Sequence, residues 1–143
     1  IKDLEEYGCN IAMGSDNMDE NMIEVMRTGL FMERVRIMDG RNPNPNEVYK
    51  WATQNGYQSL GINDAGFIAK GNKADLIIVN TFKPHMTPQT DIVSNWVHMG
   101  QIQDVESVMV DGKWIMKNHK ILNLDEEYII KEANQIAKKA WNN

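Results

Sequence analysis

The hydrophobic period of this chain changes near Asn63 from about 3.6 residues to about 2, so helices come first and a β-rich module follows, ahead of a closing helical stretch. Upstream, residues 19–38 place Ile23, Met26, Leu30 and Ile37 on one helical stripe, with Met22 and Phe31 beside them. Downstream, residues 74–79 form a strongly β-branched run, and residues 106–117 read as a hairpin around Asp111-Gly112, a favoured two-residue turn. Val108 and Val110 are placed to share an apolar face with Trp114 and Met116 or with their diagonal partners.

Finer punctuation fills in the rest. Residues 1–7 are a charged amphipathic stretch that Gly8 closes, which reads as the tail of a helix whose beginning lies elsewhere. Residues 9–13 are mostly apolar and too few for a helix, so a buried strand is expected, with Cys9 as a small buried residue. Asn44-Pro45-Asn46-Glu47 is a helix start, with Asn44 as cap and Glu47 at the capping-box position. Val48, Trp51, Ala52 and Asn55 follow on one face; Gly56 should weaken this helix and Gly61 end it, giving two short pieces. A strand over 66–70, a turn over 71–73 and an irregular connection over 81–91, holding Pro84 and Pro88, complete the middle. Residues 123–141 read as a terminal amphipathic helix capped by Asn123, with Ile129, Ala133, Ile136 and Ala140 in register and Lys138 and Lys139 complementing the dipole at its end.

Composition excludes several classes. The chain has 143 residues, about one ordinary domain or a piece of one, and 15 Lys plus Arg against 20 Asp plus Glu give a net charge of -5. That field repels nucleic acid and anionic lipid, so neither is an expected partner. Apolar runs such as 76–79 are far too short to span a bilayer. Cys9 is the single cysteine and no Asn-x-Ser/Thr acceptor occurs, so a cytoplasmic location is the expectation.

The most informative spot is Gly14-Ser15-Asp16-Asn17, a carboxylate and an amide delivered at the end of an expected strand and just before a helix. Catalytic groups of barrel enzymes occupy this position. Two plainer readings stand beside it: Asp16 or Asp19 caps the following helix, and Asn17 is an Asx-turn residue. His85, His98 and His119 are separated by 13 and 21 residues and make no ligand cluster, so they are expected as surface or packing residues. The 66–73 segment lacks the Lys-Ser/Thr ending of a phosphate loop.

Five segments in order carry a family resemblance: residues 10–17 ending in Ser15-Asp16-Asn17; Ala52-Thr53-Gln54-Asn55-Gly56-Tyr57-Gln58-Ser59-Leu60-Gly61; residues 66–79 with Lys73-Ala74-Asp75-Leu76; Pro84-His85-Met86-Thr87-Pro88; and Val105-Glu106-Ser107-Val108-Met109-Val110-Asp111-Gly112-Lys113. Together they resemble the closing third of metal-dependent amidohydrolases. The most similar branch comprises chlorotriazine hydrolases, S-adenosylhomocysteine and methylthioadenosine deaminases, and guanine-type and cytosine-type deaminases.

The resemblance implies an α/β plus β architecture: the last βα unit of a (β/α)8 TIM-like barrel, then the C-terminal part of a small β-sandwich, then a terminal helix. The corresponding segments are 1–62, 63–123 and 124–143. It implies that Asp16 is both catalytic and a metal contact, taking a proton from a metal-activated water and passing it to the leaving group. Asn17 is implied as substrate-binding. The implied cofactor is a divalent metal, zinc or alternatively iron, and the implied substrate is a small nitrogen heterocycle that loses an amino or chloro group.

Ser15 stands where the family usually has Thr, which keeps the hydroxyl. The family's His-x-His pair and its two further metal-binding histidines have no counterpart here. A C-terminal portion, inactive alone, is therefore expected to pair with a missing N-terminal part or to self-associate. The rival reading is a stand-alone, non-catalytic structural or binding module.

Overall fold

The structure, a computed structural model, describes residues 1–17 and 20–141. Helices α1 (Lys2–Glu6), α2 (Met22–Ile37), α3 (Pro45–Ala52) and α4 (Gln54–Ser59) precede strand β1 (Leu76–Val79) and helix α5 (Ile92–Met99). Strands β2 (Val105–Val110), β3 (Lys113–Lys117) and β4 (Lys120–Ile121) and helix α6 (Glu126–Trp141) follow. All four strands lie downstream of Asn63, but helices α5 and α6 lie there too.

Helix α2 runs where the stripe predicts. Ile23, Met26 and Leu30 are buried, and the inward face continues through Glu33, whose carboxylate pairs with Arg36 at 2.7 Å and with the Ile1 ammonium at 3.1 Å. Helix α3 opens with the capping box: Asn44 Oδ1 accepts from the Glu47 amide at 3.1 Å, and Glu47 Oε2 accepts from the Asn44 amide at 2.7 Å. Val48 and Trp51 bury its inner face. The break between α3 and α4 falls at Thr53, with φ -125° and ψ -92°, rather than at Gly56, because the Thr53 hydroxyl turns back onto the Tyr49 carbonyl. Gly61, at φ +72°, follows the end of α4.

The core is where α2, α3 and α5 meet. Leu30, Val48 and Val97 are fully buried there, and Trp51, Met86 and Trp96 nearly so. Helix α5 is not foreseen from the sequence; Asp91 caps it by accepting from the Ser94 amide at 3.0 Å.

The sheet is a single antiparallel layer in the order β1-β2-β3-β4, and among the described residues no second sheet lies against it. Asp111 (φ +49°) and Gly112 (φ +74°) form the β2–β3 turn with both residues left-handed. Val108 stands opposite Met116 as expected. A register shift after Val108 puts Met109, not Val110, opposite Trp114, and Val110 pairs with Lys113.

Four sequence expectations are corrected. Residues 9–13 are not a strand, because no ladder partner lies beside them among the described residues, and Cys9 is exposed for the same reason. Residues 66–70 are turns and irregular backbone, with Gly66 and Gly71 at positive φ and the Lys73 amide bonded back to the Asp64 carbonyl at 2.7 Å. The cap of α6 is Asp125, which accepts from the Tyr128 amide at 3.0 Å, rather than Asn123. Helix α6 itself is amphipathic as expected, and its apolar side is exposed, with Ile129 at 45% and Ile136 at 62%.

Candidate functional site

The polar turn at residues 14–17 takes its position from helices α3 and α4. Asn10 Nδ2 donates to the Asn55 carbonyl at 2.9 Å and to Ser59 Oγ at 2.8 Å, while Asn55 Nδ2 donates back to the Ile11 carbonyl at 2.8 Å. Two residues on, the Met13 amide donates to the Trp51 carbonyl at 3.0 Å. Ile11 and Met13 also pack on the helical core. The Met13 methyl packs over Gly29 of α2, close to where a Cβ there would stand.

Asp16 comes directly after this anchored stretch, exposed and at φ +55°. Asp is among the few side chains tolerated in the left-handed region, because a short polar group can bond locally. Here Asp16 Oδ1 accepts from the Asn17 amide at 2.8 Å. The other carboxylate oxygen receives no hydrogen bond from the described residues. Asn17 is exposed beside it.

The capping alternative for Asp16 is excluded by geometry. The cap of α2 is Asn21, in extended conformation, whose Oδ1 accepts from the Ile23 amide at 3.1 Å. The other capping candidate, Asp19, lies outside the described residues.

The histidines are occupied elsewhere. His85 Nε2 pairs with buried Asp104 at 2.8 Å, and the same carboxylate oxygen accepts from the Gln101 amide at 2.9 Å. His98 Nδ1 donates to the Ser94 carbonyl at 2.9 Å, with Arg34 Nη1 3.3 Å from its other ring nitrogen. His119 is a turn residue at φ +61°, its amide bonded to the Glu106 carbonyl at 2.8 Å. Among the described residues no three His, Cys, Asp or Glu side chains are grouped to hold a metal ion. An open depression lined by Glu24, Arg27, His85, His98 and Gln101 does not include Asp16.

The sequence singles out Asp16 but misses the bonds that hold the residues before it. Asn10 and Asn55 are 45 residues apart, and only the amide-plus-carbonyl chemistry of each hints that they could pair.

This architecture is shared with zinc-containing hydrolases. It matches an adenosine deaminase from Xanthomonas campestris with bound zinc at a TM-score of 0.89 and 23% identity, over 95% of this chain and 32% of that one. It also matches a zinc-complexed atrazine chlorohydrolase from Arthrobacter aurescens TC1 at 0.83 and 18%, over 92% and 30%. Residues 1–115 match the amidohydrolase family model, and the chain belongs to that family. A 5-methylthioadenosine/S-adenosylhomocysteine deaminase from Syntrophomonas wolfei is 37% identical over 139 residues, 94% of this chain and 32% of the relative. The chain spans about a third of the length of the curated relatives it matches.

Proposed function

We propose that this chain forms the Asp16-bearing part of a hydrolase that removes the amino group from an adenosine-like base, the last βα unit of its barrel being residues 1–62. The observation that carries this reading is Asp16 itself: exposed, held left-handed, and with no capping duty because Asn21 performs it. Backbone held in a sparsely populated region on a solvent-facing carboxylate is what a working group at a site presents. The Syntrophomonas wolfei relative is a 5-methylthioadenosine/S-adenosylhomocysteine deaminase and the Xanthomonas campestris neighbour an adenosine deaminase, which directs the substrate assignment to a purine nucleoside; a chlorinated triazine, after the atrazine chlorohydrolase, is the alternative.

In the proposed reaction water adds to the ring carbon that carries the amino group. Asp16 accepts a proton from that water at its second carboxylate oxygen and delivers it to the departing nitrogen, which leaves as ammonia. Asn17, exposed next to it, is placed to face the ring. A divalent ion, zinc or alternatively iron, would supply polarisation of the water. One carboxylate does not meet the three or more protein ligands such an ion needs, so the remaining ligands belong to residues outside this chain. The chain alone is accordingly inactive, and the exposed apolar face of α2, with Met32 at 65% and Val35 at 68%, is where the rest of the enzyme packs. A cytoplasmic setting suits the exposed free thiol of Cys9.

The test is Asp16→Asn in the complete enzyme with a 5′-substituted adenosine as substrate. Ammonia release should fall by about 10²–10⁴-fold, with the melting temperature unchanged. Retained turnover sinks the assignment. The rival reading, a stand-alone non-catalytic module, draws on the closed helical core around Leu30, Val48 and Val97; under it, Asp16→Asn changes nothing.

A further inference from the structure

The reciprocal amide pair Asn10–Asn55 is a long-range feature that the proposed chemistry does not by itself require. Each side chain donates to the other's neighbourhood: Asn10 Nδ2 to the Asn55 carbonyl, and Asn55 Nδ2 to the Ile11 carbonyl. Together with the Met13-to-Trp51 backbone bond, these tie residues 10–13 to α3 and α4 at three successive points. The segment forms no strand ladder among the described residues, so within this chain these bonds hold it against α3 and α4.

We propose that Asn55 is a positioning residue for Asp16. The inference rests on the proton-transfer role given to Asp16 above. The path is short: Asn55 fixes the Ile11 carbonyl, Ile11 and Met13 pack on the core, and Asp16 follows Met13 by three residues. The Thr53 break between α3 and α4 has a purpose on this reading, since it redirects the chain just before Asn55. A displacement of about 1 Å at a reacting group costs on the order of 100-fold in rate, so loss of one remote hydrogen bond can be read in turnover.

The experiment uses the complete enzyme with Asn55→Asp, Asn55→Ala and Asp16→Asn measured side by side on the same substituted adenosine. Asn55→Asp is isosteric but turns an acceptor toward the Ile11 carbonyl; Asn55→Ala deletes the donor and serves if the first variant fails to fold. Expected for either variant are a fall in kcat of about 10–100-fold and a KM changed less than about twofold. Asn55→Gln, which keeps the amide, should recover part of kcat. Unchanged kcat in a folded Asn55 variant, or a loss matched wholly by reduced folded fraction, overturns the positioning role. If Asp16→Asn keeps full turnover, the reading of Asp16 has failed instead, and the positioning role fails with it.

Discussion

Asp16 and Asn21 stand five residues apart in the same polar run, and the structure assigns them opposite energetic roles. Asn21→Ala removes the side chain that accepts the Ile23 amide at 3.1 Å, leaving a donor of the first turn of α2 unpaired. The expected cost is about 1 kcal/mol, within a range of roughly 0.5–2 for cap deletions. Asp16→Gly removes a Cβ from a residue at φ +55°, where a side chain costs roughly 1–2 kcal/mol, and also removes an exposed bond to the Asn17 amide worth about 0.5–1 kcal/mol. The two changes oppose each other, so Asp16→Gly should lie between neutral and about 1.5 kcal/mol more stable. Urea unfolding of the 143-residue chain, followed by far-ultraviolet circular dichroism at constant m-value, measures both. The reasoning is refuted if Asp16→Gly loses about 1 kcal/mol while Asn21→Ala is silent, because Asp16 would then be the cap.

Three further outcomes follow from the fold. Leu30→Ala empties a fully buried site between α2, α3 and α5 and should cost about 2–5 kcal/mol, whereas Ile136→Ala on the 62%-exposed flank of α6 should stay within about 0.5; equal losses in urea melts would place the core elsewhere. Gly100→Ala would set a Cβ 2.5 Å from the Trp96 carbonyl oxygen, a backbone atom that cannot swing aside, so a loss of about 1–3 kcal/mol is expected, and a neutral result would contradict the close approach. The Asp75 carboxylate accepts from the Asp111 amide and from the Tyr57 hydroxyl, which holds its pKa below the ordinary carboxylate value; the same Tyr57–Asp75 bond, aided by burial, raises the phenol above its ordinary value. A lowered acid pKa gives stability that is present above about pH 4 and lost as pH falls through the folded value. A raised phenol pKa gives stability that is present below about pH 10 and lost as pH rises through the folded value. The stability gap between the parent chain and Tyr57→Phe should therefore be widest between these limits and shrink at both ends; a gap independent of pH speaks against the bond.

Local signals were legible where a single short window carries the whole cause. The Asn44/Glu47 box and the Asp111-Gly112 turn are complete within four residues, and both form as read. The stripe of α2 was legible because its period persists over four turns, although its inward face ends on Glu33, which needs distant partners to be buried. Helix α5 was hidden because Ile92, Val93, Trp96 and Val97 read equally well as a strand at this length, and only the Asp91 cap signalled otherwise. Residues 9–13 failed the other way: an apolar run states that it wants to be covered, not by what, and here helices rather than strands lie beside it. At the site, the sequence offered Asp16 or Asp19 as the cap and passed over Asn21, because several polar residues precede the helix and spacing alone does not fix where its first turn begins.

The placement of that cap has a consequence for how the turn can be altered. A left-handed aspartate persists only where its surroundings over-determine it. On one side the Asn10–Asn55 and Met13–Trp51 bonds fix the incoming chain; on the other, Asn21 fixes the start of α2. Conformation at Asp16 is thus imposed by its flanks, and its own carboxylate contributes one local bond. Under the proposed roles, substitutions at Asp16 should remove chemistry without moving the turn, whereas substitutions at Asn55 should move the turn without removing chemistry. The combination Asp16→Asn with Asn55→Asp in the complete enzyme should then be no slower than Asp16→Asn alone, since misplacing an inert amide costs nothing further. A double variant slower by the full product of the two single effects would show that Asn55 acts on something other than Asp16.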